Sequence, residues 1–332
     1  MPRTGPRTAP RARQNGRTLI ELMVAVSIGL AVVVGLVSVY LASSRAARAS
    51  SATASAEFAG NVLMTLIGDA IKQAGYGEIV GGDATVRTGQ TLFDGNGVTG
   101  CENGRFADAP AGDFDCVPAA GDTLMVRFQA DSVGSPPQGP LRDCLGSAAP
   151  MVAYAGSGIG AGALRPLVTN VYSLQAAAAA GGAARAGSIV CQGSGAPAAG
   201  VAAGAQPLIG GVEAFKVFYG FDEAAMRLPP GSGNAAPSAG AFRGANSIRA
   251  QAGGPDPWGF VVSVYVCVQV RTEEGAVGAL RDSAAQVCPR NEAEVGGDLP
   301  IQQFNDGAVR RTFVQVFTVR SQATANPLVG LQ

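Results

Sequence analysis

Residues 16–26 read GRTLIELMVAV. Glu21 stands four residues after Arg17, and behind it residues 22–42, LMVAVSIGLAVVVGLVSVYLA, carry no charge. These 21 residues, rising about 1.5 Å each as a helix, match a bilayer core roughly 30 Å thick. An ionised group inside a bilayer costs about 2.5–3.5 kcal/mol even on lenient insertion scales. The lone acid at the mouth of the run therefore needs an explanation that membrane crossing alone does not supply.

Working outward, residues 1–16 carry Arg3, Arg7, Arg11 and Arg13 and no acid, while Arg45 and Arg48 follow the apolar run. The larger basic cluster marks the cytoplasmic side, so the bulk of the chain is expected beyond the membrane. An ordinary secretory signal peptide cut near YLASS (40–44) is one alternative, but its apolar region spans only about 7–15 residues. A plain single-span anchor is another, and it leaves Glu21 without a role.

The formal net charge is zero. Removing the four leading arginines from the 24 basic residues leaves 20 against 24 acids, a net of −4. A mildly acidic body argues against nucleic acid as a partner, since phosphate binding needs a basic footprint. The chain has 47 glycines and 20 prolines, which predict a loop-rich body. Histidine is absent, which removes His-based acid/base catalysis, the Ser-His-Asp triad and His metal sites. Lys72 and Lys216 are the only lysines, so a Ser-Lys hydrolase has little support.

No proline occurs between Pro10 and Pro110. Residues 43–74 are mostly Ala, Ser and other helix formers. Phe58, Val62 and Leu66 step by four, as do Leu63, Ile67 and Ile71, with Glu57, Asn61, Asp69 and Lys72 on the polar counterface. Both stripes have the helical period that suits burial against a sheet. AGYGE at 74–78 supplies the glycine that ends helices. One helix over 17–75 is expected, with its transmembrane part at about 22–42. Gly60 and Gly68 weaken it by up to about 1 kcal/mol each; a membrane helix followed by a separate short helix is the alternative.

Residues 76–332 read as β-rich. TLMVRFQ (123–129), VEAFKVFYGF (212–221), FVVSVYVCVQVR (260–271) and RTFVQVFTVR (311–320) alternate in polarity, which predicts strands of a sheet with one face buried. AAAAAGGAARAGS (176–188) and PPGSGNAAPSAGAFRGANS (229–247) read as surface loops. A helix followed by strands predicts an α+β fold, with the helix laid on an antiparallel sheet carrying long Gly/Ala-rich loops.

The six cysteines are Cys101, Cys116, Cys144, Cys191, Cys267 and Cys288, with no C-x-x-C. An even count outside the cytoplasm reads as disulfides. Proximity in sequence favours Cys101–Cys116, Cys144–Cys191 and Cys267–Cys288; free buried thiols are the alternative. Other motifs carry little chemistry. GSGIGAG (156–162) lacks the P-loop lysine. FDGNG (93–97) and NDG (305–307) read as turns, short of the oxygen ligands a calcium loop needs. Asp113 and Asp115 read as solvated loop carboxylates, and Trp258 as a packing anchor. No cofactor is implied.

The stretch Gly16-Arg17-Thr-Leu-Ile-Glu21-Leu-Met resembles the prepilin signal of type IV pilins. In that family a membrane peptidase cuts after the glycine, the new N-terminus is N-methylated, and a glutamate stands fifth in the mature chain. The resemblance implies cleavage after Gly16, methylation of Arg17, and a register-setting role for Glu21 against a neighbour's amine. Arg17 departs from the apolar residue most members carry there. DAIKQAGYGE (69–78), GVEAFKVFYGFD (211–222) and DGAVRRTFVQVFTVRS (306–321) further resemble the PilW family of minor pilins. That implies a pilin-like fold: a leader at 1–16, a helix at 17–75 and an outer β-rich domain at 76–332. It also implies a non-enzymatic subunit anchored in inner-membrane lipid, then carried into a surface pilus. Its partners would be prepilin peptidase and other minor and major pilins. It would help initiate assembly, with a place near the tip. A J-type minor pseudopilin of type II secretion carries the same signal. A membrane-anchored periplasmic binding protein is the alternative from another class; it predicts no cleavage at Gly16.

Overall fold

The computed structural model describes residues 18–77, 79–80, 90–91, 95–107, 115–130, 142–153, 162, 164–177, 186–195, 204–227, 238–251, 256–272 and 283–320. The chain divides into two compact units, Met1–Ser50 and Ser51–Gln332. Helix α1 (Leu19–Gln73) contributes to both.

In the first unit, Thr18 caps α1. Its Oγ1 accepts the Glu21 amide at 3.3 Å, and its carbonyl accepts the Leu22 amide at 3.2 Å. T-x-x-E is the spacing of a capping box. Residues 19–43 are exposed throughout, and the helix is long and apolar enough to cross a membrane. Ser27 and Ser38 donate to the carbonyls of Val24 and Gly35, three residues back. Both hydroxyls are therefore satisfied within the helix, as an apolar surrounding requires.

The strands of the second unit are β1 (Ile79–Val80), β2 (Gln90–Thr91), β3 (Val98–Cys101), β4 (Gly104–Phe106), β5 (Cys116–Pro118), β6 (Thr123–Gln129), β7 (Met151–Ala153), β8 (Leu164–Gln175), β9 (Gly187–Gly193), β10 (Gln206–Phe221), β11 (Ala241–Arg243), β12 (Val261–Arg271), β13 (Ser283–Gln286), β14 (Ile301–Phe304) and β15 (Arg310–Thr318). Two short helices, α2 (Glu223–Arg227) and α3 (Ala245–Arg249), join them. The main sheet runs β15-β12-β10-β9-β8-β6-β3, with β11 added to β10 and β7 to β8. Every pairing is antiparallel.

One of the two expected stripes of α1 is buried. Leu63, Ile67 and Ile71 are fully enclosed, whereas Phe58 and Leu66 are 71% and 46% exposed. The buried face also carries Ala56, Gly60, Met64, Gly68 and Ala70. It packs on Val126, Val168, Phe215, Val264, Val266 and other inward-facing strand residues. Gly75 ends the helix at φ 71°, the left-handed conformation glycine adopts without penalty. The Gly75 amide donates to the Arg127 carbonyl at 2.8 Å, and the Gln129 amide to the Tyr76 carbonyl at 2.8 Å, so the helix end is stitched to β6.

The sheet departs from the one-face-buried expectation. Every residue of β12 is buried. Val264, Val266, Val268 and Val270 face the main core, while Tyr265 and Cys267 pack with Phe218 and Cys288 in a separate cluster. Cys267 is bonded to Cys288, Cα–Cα 5.7 Å, which holds the β13–β14 hairpin segment beside that outer face. A third cluster, of Cys101, Phe106, Met125 and Val171, covers part of β6. The stretch 229–247 is not all loop, since β11 and the start of α3 lie in it. Gly187 and Ser188, read as the end of the other loop, open β9. Residues 178–185 and 228–237 fall outside the described residues, as does most of GSGIGAG.

Candidate functional site

The GRTLIE stretch at 16–21 is only partly within the described residues: Gly16 and Arg17 fall outside them, and Glu21 falls inside. Glu21 occupies the first turn of α1, where an anion is favoured by the helix dipole. Its backbone is held by Thr18, but among the described residues its carboxylate has no ion-pair partner. The side chain is exposed, available to a group from outside this chain. Thr18 is not among the motif residues read from the sequence, although the T-x-x-E spacing from Thr18 to Glu21 signals the cap.

The other three quoted stretches lie in the second unit. The 69–78 stretch is bonded to β6 through Gly75 and Tyr76. The 211–222 and 306–321 stretches meet at a largely buried ion network. Glu213 accepts from Arg310 Nε at 2.5 Å and from its Nη2 at 3.0 Å; Asp306 accepts from Nη2 at 2.6 Å. Arg271, between them on β12, lies 3.5 Å from Asp306. Both guanidinium groups are almost fully enclosed, and Arg310 stacks 3.5 Å above the Phe304 ring. Hydrogen bonding from Arg310 is the main reason Asp306 titrates well below the usual carboxylate range. Nothing in the sequence patterning pairs these acids with these arginines; only the strand order does.

A second buried carboxylate, Asp122, accepts from the Asn103 amide at 2.9 Å, the Val217 amide at 2.9 Å and Lys216 Nζ at 3.0 Å. Asn103 adopts φ 45°, a turn conformation asparagine tolerates better than most residues. Cys101–Cys116 ties β3 to β5, and Cys144–Cys191 ties the 142–148 turn to β9, with Cα–Cα distances of 5.7 and 6.4 Å. Trp258 is buried edge-on to Tyr219, centroids 5.0 Å apart, with the Arg249 guanidinium 5.7 Å from its ring. Asp256 caps that turn by accepting the Trp258 amide at 3.1 Å. Asp115 is exposed, and Asp113 lies outside the described residues. These groups brace the sheet. Among the described residues no cluster of three or more Asp, Glu or Cys side chains is arranged to hold a metal.

Two family models match the chain. One, described as Type IV Pilus-assembly protein W, covers residues 164–321; the other, the prokaryotic N-terminal methylation motif, covers residues 11–37. The first spans β8 to the end of β15 and includes the whole of the Glu213–Arg271–Asp306–Arg310 network. The second spans Gly16, Arg17 and Glu21. No curated protein matches the chain. Among solved structures, a type IV-like pilin from Thermus thermophilus aligns with a TM-score of 0.33 and 14% identity, covering 79% of this chain and 95% of that one.

Proposed function

With a PilW domain behind a prokaryotic N-terminal methylation motif the chain is a minor type IV pilin, and on that premise we propose how it is processed and assembled. Prepilin peptidase cuts after Gly16 on the cytoplasmic side of the inner membrane. Arg17 becomes the methylated N-terminus and Glu21 the fifth residue. The apolar part of α1 holds the subunit in inner-membrane lipid, with residues from about 43 onward on the periplasmic side. The subunit then joins other minor and major pilins to initiate a pilus, and takes a place near its tip. Its role is structural.

The observation that carries this reading is the state of Glu21. It is an exposed acid on a capped first turn, with no ion pair among the described residues, heading an exposed apolar helix. In a filament, the positive terminal amine of a neighbouring subunit meets that acid in low dielectric. The attraction there is far stronger than in water, and an unmatched charge is costly. Axial register follows, because only one stagger of neighbouring helices satisfies both charges. Glu21→Ala should leave trimming intact and reduce incorporation of the subunit into pili, read by immunoblot of sheared filaments. Wild-type incorporation of that variant would remove the register role.

A further inference from the structure

The two edges of the main sheet are treated differently. At one edge, β3 is buried along its length, and its Gly100 carbonyl accepts from Arg249 Nε at 3.3 Å and Nη2 at 3.0 Å. At the other edge lies β15. The Val319 amide donates to the Val262 carbonyl, and the Val309 carbonyl accepts the Thr272 amide. Odd-numbered residues of β15 therefore turn their backbone groups toward β12, and even-numbered ones turn them away. The amides and carbonyls of Thr312, Val314, Val316 and Thr318 have no backbone partner among the described residues. Val314 and Val316 are 39% and 48% exposed.

Natural sheets blunt such an edge with lysine, proline, a bulge or a covering segment. Residues 312–318 hold no charge, no proline and no register shift. They read Thr-Phe-Val-Gln-Val-Phe-Thr, the same in both directions. A palindrome is what an antiparallel, two-fold pairing of identical strands requires. Centred on Gln315, it sets Thr312 against the partner's Thr318, Val314 against Val316 and Phe313 against Phe317. The outward-facing even residues then become the hydrogen-bonded pairs, and within 312–318 no like charges oppose one another; Arg310 and the second copy's Arg320 face each other only beyond that stretch. We propose that β15 is a homotypic docking edge, on which a second copy of this chain pairs by strand addition.

The size and direction of the contact define its use. Seven residues a side fall well short of the roughly 20–30 a side of a standard interface. The pairing is therefore weak and reversible, and gains strength only through multivalent display. Gly60 and Gly68 pass Phe313 and Phe317 in the same order, so α1 residues 51–73 run in the direction of β15. Antiparallel pairing turns the two helices opposite ways.

Cross-linking of the full chain tests this. Gln315 would face its own counterpart in a non-hydrogen-bonded pair, Cα–Cα about 4.5 Å, within disulfide reach. Two Val314 positions would stand about 8 Å apart, beyond it. Gln315→Cys and Val314→Cys are each prepared as two differently tagged copies of the full chain in detergent micelles, which are mixed under mild oxidation. The expected result is mixed-tag dimer from Gln315→Cys at roughly tenfold or more the Val314→Cys level, lost when the exposed Val316 is also changed to Lys. Dimer no higher than with Val314→Cys would overturn the pairing and assign the edge to a different protein's strand. Circular dichroism of each variant verifies folding.

Discussion

Gly60 and Gly68 of α1 lie directly against the rings of Phe313 and Phe317 on β15. Eight residues of helix rise about 12 Å and four residues of strand about 13 Å, so the two pairs stay in step. Each glycine costs helix propensity in exchange for close approach of the edge strand.

Gly68→Ala should therefore destabilise the chain. In an open helix the change would gain about 0.8–1 kcal/mol. Here the new methyl meets the Phe317 ring, and overpacking costs typically about 1–3 kcal/mol. The expected net loss, roughly 0–2 kcal/mol, is read from the denaturant midpoint. Phe317→Leu in the same chain should recover much of it, by making room for the methyl.

Asp122→Ala removes the acceptor of two amides and of Lys216, which is only 18% exposed. Leaving two amides without an acceptor, and a largely buried cation with only Asn103 Oδ1, should cost about 3–5 kcal/mol. Equilibrium unfolding measures this, and Asp122→Asn, which keeps one acceptor oxygen, should fall between the two.

Asp306 ties stability to pH. Its folded pKa is depressed, chiefly by hydrogen bonds from Arg310. The resulting stability is fully present above the ordinary Asp pKa of about 3.9 and is lost as pH falls below it. Asp306→Asn should be less stable than wild type at pH 7, and the gap should narrow as pH drops toward 2. Thermal melts across that range check the sign; a gap that widens on acidification would contradict it.

Replacing Cys267 and Cys288 together with Ala opens a loop of 21 residues. The chain-entropy cost is about 3 kcal/mol. It should also loosen the cover over Tyr265 and Phe218, seen as faster amide exchange in β12 than in β8.

The length and end of α1 were legible in the sequence, because an uncharged run, a long proline-free interval and Gly75 all point the same way. The strands at 123–129, 212–221, 260–271 and 311–320 were legible from alternation. Burial of the second face of β12 was not, because a polar-looking face of Ser263, Tyr265, Cys267 and Gln269 is covered only through a disulfide and a hairpin distant in sequence. The stripe Phe58–Val62–Leu66 looked as fit for the core as Leu63–Ile67–Ile71; which of them faces the sheet depends on where the glycines admit Phe313 and Phe317. β8 was hidden by Pro166 and its polar residues, and β11 by the Gly/Ala-rich sequence around it. In the 16–21 stretch, Gly16, Arg17 and Glu21 were readable as a motif, whereas the cap from Thr18 emerged from geometry.

The most direct test is the intact mass and N-terminal sequence of the full chain expressed with and without a prepilin peptidase. Loss of residues 1–16 with one methyl added to Arg17, seen only when the peptidase is present, is the expected result. A chain beginning at Met1 in both samples, or one cut near Ala42, would contradict it.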